Sequence, residues 1–154
     1  MPYGHNRSGD SGAIIDETTA TLSVTTALHD GRIIALNRAA GVTCTLPTSE
    51  GSGAIFEFVA AIAASGSYII KVGNGTDVMA GFAIGMDDDT EGQATTWGWN
   101  CETSDDTITM DGTTKGGKLG DRVRVIDFEV GTFLVECFLT QSGGSEVTPF
   151  SAGV

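Results

Sequence analysis

Two short stretches decide the class of fold: Ile55-Phe56-Glu57-Phe58-Val59-Ala60 and Arg122-Val123-Arg124-Val125-Ile126-Asp127. On an extended chain the first puts Phe56, Phe58 and Ala60 on one side and Glu57 on the other. The second sets Val123, Val125 and Asp127 against Arg122, Arg124 and Ile126. A period of two is the mark of a half-buried strand. Working outward, residues 20–26, 32–37, 42–46, 68–72, 78–84, 94–100, 107–110 and 132–139 read as further strands. His29-Asp30-Gly31, Ala40-Gly41, Glu50-Gly51-Ser52-Gly53, Gly73-Asn74-Gly75 and Gly116-Gly117 separate them with turn chemistry at intervals of roughly ten residues. Glycine (22 residues) and about twenty threonines outweigh any helical spacing, and Ala60-Ala61-Ile62-Ala63-Ala64 is too short to hold a helix before Ser65-Gly66. The sequence is all-β, and the turn spacing predicts a single-domain antiparallel β-sandwich with Greek-key or jelly-roll-like connections.

A chain of 154 residues, 40% apolar, fits one domain that buries roughly two-thirds of its unfolded surface. No apolar run approaches the ~20 residues that span a bilayer. Residues 1–19 read as an extended N-terminal arm, 20–140 as the sandwich and 141–154 as a Gly/Ser-rich C-terminal tail. In the arm, Tyr3, Ile14 and Ile15 are the candidate apolar anchors and Arg7 the candidate cation for contact with a larger assembly. Met1 to Arg7 lack the apolar core of a secretion signal, so folding in the producing cell's cytoplasm is expected. A net charge of -12 repels phosphate backbones and anionic lipid, which sets nucleic acid and membranes aside as partners. Cys44, Cys101 and Cys137 have neither disulfide nor metal-clip spacing and are read as reduced thiols in or near the core.

The catalytic patterns fail one by one. Gly112-Thr113-Thr114-Lys115-Gly116-Gly117-Lys118 imitates a phosphate loop, yet Leu119 stands where a Ser or Thr must ligate magnesium, and a strand follows where a helix is required. His5 and His29 fall in a tail and a turn, with no nucleophile elbow or zinc motif to recruit them. Between Lys71 and Lys115 the chain carries nine acids and no Lys, Arg or His, including Asp87-Asp88-Asp89, Glu91 and Asp105-Asp106. Without the alternation of a calcium loop these read as solvated carboxylates, so neither metal nor cofactor is expected. Trp97 and Trp99 share one strand face across Gly98, which suits a contact between subunits and, less directly, stacking on sugar rings.

A longer pattern is carried by Gly31 to Pro47 (GRIIALNRAAGVTCTLP), Gly53-Ala54-Ile55-Phe56-Glu57-Phe58, Tyr68-Ile69-Ile70-Lys71-Val72 and Asp77-Val78-Met79-Ala80-Gly81. Asp106-Thr107-Ile108-Thr109, Gly112 to Gly117, Gly120-Asp121-Arg122-Val123 and Thr148-Pro149-Phe150-Ser151-Ala152 continue it, so that it covers roughly residues 20 to 152. The pattern resembles the capsid decoration, or cement, proteins of tailed bacteriophages. That resemblance implies a non-enzymatic virion protein, a β-sandwich homotrimer that binds the major capsid protein on the outer surface of the head and stabilises the mature particle. It makes Tyr3, Arg7, Ile14 and Ile15 expected capsid contacts and Trp97 and Trp99 expected subunit contacts. The alternative is a receptor- or glycan-binding module of a tail fibre or capsid spike.

Overall fold

The computed structural model describes residues 14–88 and 95–154. In chain order the elements are β1 (Ile15–Glu17), β2 (Thr21–Ser23), α1 (Thr26–His29), β3 (Arg32–Leu36), β4 (Gly41–Thr45), β5 (Ile55–Ala60), β6 (Ser67–Lys71), β7 (Val78–Asp87), β8 (Thr96–Asn100), β9 (Thr107–Met110), β10 (Arg122–Glu129), β11 (Thr132–Gln141) and β12 (Phe150–Ser151). They form a seven-stranded sheet, ordered β1-β3-β5-β10-β11-β7-β8, packed on a five-stranded sheet, ordered β12-β9-β6-β4-β2. The all-β sandwich read from the sequence is the fold.

The ladders differ from the antiparallel ones expected. Five of the ten strand pairings are parallel, so both sheets are mixed. From β1 to β7 each successive strand crosses to the other sheet, and up to β6 strands two apart in sequence lie side by side, whereas β10 and β11 come between β5 and β7. Ile15 pairs with Ile34 and Ile34 with Phe58 in one sheet, while Leu22 pairs with Cys44 and Cys44 with Ile70 in the other. The turns stack with the strands: Ala39 O accepts hydrogen bonds from Ser65 N at 2.7 Å and Gly66 N at 3.0 Å. Gly41 (φ 102°) sits where a Cβ would strike the Ser67 backbone, which is why that turn needs glycine.

Apolar residues at period two fill the space between the sheets. Phe56, Phe58, Val123, Val125, Phe133 and Val135 face inward from one sheet and Val42, Cys44, Tyr68, Ile70, Ile108 and Met110 from the other. The two sets of alternating residues in β5 and β10 fall on the faces the sequence assigned them, with Val123 opposite Phe58 and Val125 opposite Phe56. Both ends of the chain are less separate than expected. Ile15–Glu17, the close of the predicted arm, is an edge strand, and Phe150–Ser151, within the predicted tail, pairs with β9. Asp106 holds the tail down, accepting hydrogen bonds from Gly153 N at 2.7 Å and Val154 N at 3.2 Å.

Candidate assembly surface

In β7 the usual size order is reversed. Ala83 and Gly85 point toward the other sheet, whereas Phe82, Ile84 and Met86 point away from it and are 40%, 39% and 50% exposed. The inward side is kept small by Gln141, whose wholly buried amide occupies the place a Cβ on Gly85 would take. Gln141 Nε2 donates to Thr114 O at 2.8 Å and Val147 O at 3.0 Å, and its Oε1 accepts from Trp99 Nε1 at 3.3 Å. A buried amide with all three polar positions matched is tolerated, and here it braces two loops and an indole.

The outward side continues onto β11, where Phe138 pairs with Ile84 and is 44% exposed. Leu119, 71% exposed, adds a wall to a cleft of about 370 Å³ between these residues. Beyond Phe138 the face becomes charged. Arg122 lies 5.4 Å from the Phe138 ring centroid and 3.7 Å from Glu57, and Arg124 lies 3.7 Å from Glu136. Exposed pairs of this kind contribute about 0 to 1 kcal/mol each, so their main effect is to set a charge pattern beside an apolar patch. Contiguous exposed apolar side chains on a sandwich with a complete core make this face the candidate contact surface.

The residues singled out from the sequence are not gathered on this face. Trp97 and Trp99 lie on the opposite side of β8, aligned with Gly85 and Ala83; Trp97 is 42% exposed and Trp99 half-buried against the core. Ile14 is exposed at the entrance to β1, while Ile15 packs partly into the core and is therefore a fold residue in part. Tyr3 and Arg7 lie outside the described residues. The patch had a legible signal, the small and large alternation of Phe82 to Met86, but periodicity alone does not say which of the two sets faces inward.

Of the acids between Lys71 and Lys115, read from the sequence as solvated, Asp77, Asp105 and Asp106 are buried, and beyond that stretch Asp121 and Asp127 are buried as well. Asp127 accepts hydrogen bonds from Ser49 Oγ, Glu50 N, Gly51 N, Ser52 N and Ser52 Oγ at 2.6–3.0 Å. Burial on its own would raise its pKa, but these donors outweigh that and hold it below the usual carboxylate range. Asp106 and Asp111 are lowered in the same manner, with burial opposing and hydrogen bonds prevailing. At Asp121 burial prevails and raises the pKa, although Gly117, Lys118 and Thr140 all donate backbone N–H bonds to it. Asp111 accepts bonds from Thr113 N and Lys115 N at 2.9 Å, so the stretch resembling a phosphate loop is a turn closed on its own carboxylate. Asn74, the head of an Asn-Gly-Thr sequon, likewise braces its own turn through Thr76 N and Asp77 N. Asp88 pairs with Lys118 at 3.9 Å, and Asp89 and Glu91 lie outside the described residues.

Among the described residues no group of three or more His, Cys, Asp or Glu is placed to hold a metal ion. His29, in α1, is buried and accepts a hydrogen bond from Thr25 N at 3.0 Å, which accounts for it as a local brace. The three thiols are free; burial pushes Cys44 and Cys101 up to about 12 and Cys137 further still. No family model, characterised protein or solved structure matches the chain.

Proposed function

We propose that this chain is a structural component of a tailed-phage virion, a non-enzymatic decoration protein that trimerises and binds the major capsid protein on the outside of the head. The observation that carries the assembly part of this reading is the outward-facing Phe82, Ile84, Met86 and Phe138 beside the Arg122 and Arg124 ion pairs. A surface of that kind has a rim that sets register and an apolar centre that supplies affinity. Closed cyclic symmetry is the usual outcome for a small subunit with one such face. Ile14, exposed beside the first residue of β1, is available as an apolar contact to the capsid. The phage assignment itself rests on the sequence resemblance of residues 20 to 152. A protein bound across capsomer junctions stabilises the assembled shell by mass action, a task that requires surface and no chemistry.

The test is to add purified protein to phage heads lacking it and to image them. Regular three-fold density at a copy number comparable to that of the capsid protein is expected. A few copies at a tail or vertex, or none, would overturn the proposal.

A further inference from the structure

At the other side of β8, away from the assembly surface, the two edge strands β8 and β12 border a groove of about 500 Å³. Trp99, Glu102, Asp105, Thr148 and Ser151 line it, and Phe150 closes it as a buried wall. We propose that this groove binds an uncharged oligosaccharide.

The argument begins with Trp99. Its Nε1 proton is already given to Gln141 Oε1 at 3.3 Å, inside the protein, and Gln141 is itself fixed by two carbonyls. The indole is therefore held in place before any ligand arrives, and what it offers the groove is ring surface without a free donor. Such a surface suits the C–H face of a sugar ring, while the hydroxyls around that ring need acceptors and donors nearby. The groove supplies them. Asp105 accepts Glu102 N through one carboxylate oxygen at 2.7 Å, and its other oxygen carries no bond to a described residue. Glu102 and Thr148 are exposed at the rim, and Ser151 adds a second hydroxyl.

Charge narrows the ligand class. Among the described residues no Lys, Arg or His lines the groove, whereas Glu102 and Asp105 do, on a chain of net charge -12. Phosphorylated, sulfated and acidic sugars are repelled, and the ring surface of Trp99 suits uncharged ones, whose affinity comes from stacking and hydroxyl contacts and not from charge. Trp97 extends the aromatic surface, exposed on the same face two residues along, a spacing of about 6.8 Å in a strand. A ligand that reaches both indoles is longer than one ring, which makes it an oligosaccharide. Because Trp97 and Trp99 face away from Phe82, Ile84 and Met86, the groove stays open when the assembly surface is occupied.

Calorimetric titration of the full chain with neutral hexasaccharides of glucose, mannose and N-acetylglucosamine, beside the acidic hexamer of galacturonic acid, tests this. At least one neutral hexamer is expected to bind with a Kd tighter than about 1 mM, and the acidic one to give no heat of binding. Trp99→Ala should weaken the neutral ligand at least about tenfold. Thr148→Arg, an exposed position whose long side chain enters the groove, should do the same; it also removes the hydroxyl that accepts a hydrogen bond from Phe150 N at 3.2 Å, so a melting temperature within a few degrees of the parent's is expected, and the test survives if the Trp99 variant misfolds. Phe138→Asp, on the other face, should bind as the parent does. Absence of binding by every neutral hexamer, equal binding of the galacturonate, or undiminished affinity in Thr148→Arg would overturn the proposal, and none of these results bears on the assembly reading.

Discussion

Asp127→Asn replaces the carboxylate by an amide of the same size, so the loss reads out hydrogen bonding with no cavity added. Asp127 is 3% exposed and receives three backbone N–H groups and two hydroxyls from Ser49 to Ser52. An asparagine that keeps its carbonyl toward Ser49, Glu50 and Gly51 sets an NH₂ against the Ser52 donors. Bonds to a charged acceptor are worth about 1.5 to 3 kcal/mol each, but Glu50, Gly51 and Ser52 are exposed and their amides rehydrate when released. The net cost is then about 2 to 3 kcal/mol, a fall in Tm of about 4 to 12 °C for a chain of this length. Urea denaturation of parent and variant at a series of pH values is the assay. The folded-state pKa of Asp127 lies below its unfolded value, so its stabilisation is present above about pH 4 and is lost as pH falls through the folded pKa. The gap between parent and variant should therefore be full at pH 7 and close in acid. A gap under about 0.5 kcal/mol at pH 7, the scale of an ordinary surface substitution, or one that stays constant into acid, would refute the reasoning.

Asp106→Asn should release the C-terminus, costing about 1 kcal/mol and speeding amide exchange at Gly153 and Val154, as hydrogen exchange would report. Phe138→Asp should abolish self-association in light scattering while shifting Tm by no more than the few degrees typical of a half-exposed site. Gly81→Ala places a Cβ against the Val135 carbonyl at φ 143°, and a loss of about 3 kcal/mol or more is expected by the same urea assay. Cys44 and Cys137, buried with pKa values pushed up, should react with a thiol reagent only as fast as the protein unfolds, and a rate that tracks reagent concentration under native conditions would count against this.

The strands that announce themselves in the sequence are those with several alternating residues, such as β5 and β10, where Phe56, Phe58, Val123 and Val125 face inward and Glu57, Arg122 and Arg124 outward. β1 and β12, of three and two residues, carry no period to detect and exist because a neighbour supplies their hydrogen bonds. Parallel pairing was hidden for a different reason. Turn chemistry at Ala40-Gly41 reports that the chain reverses, yet whether the next strand stays in the same sheet or crosses to the other depends on where earlier strands already lie. The candidate assembly surface was half legible: the alternation in Phe82 to Met86 is plain, but its inversion follows from Gln141 filling the interior, a contact across 56 residues with Gly85. Asp111 and Asn74 brace turns that begin at their own positions and are readable as such, whereas Asp127 binds a loop some 75 residues earlier and is not.

The crossing path from β1 to β7 also governs how the molecule can come into being. Neighbouring parallel strands begin about twenty residues apart, and β7 waits for β11, with Val78 opposite Thr132. No pair among the first six strands can zip through a tight hairpin, and apart from β7–β8 and β10–β11 each ladder requires a large loop to close before it is rewarded, the condition under which folding is slow. During synthesis β7 emerges with Phe82, Ile84 and Met86 on one side and, until β11 follows, an unpaired edge on the other. The nascent chain is thus most adhesive just before completion, and any truncation ahead of β11 leaves a sticky fragment where a smaller domain would be wanted.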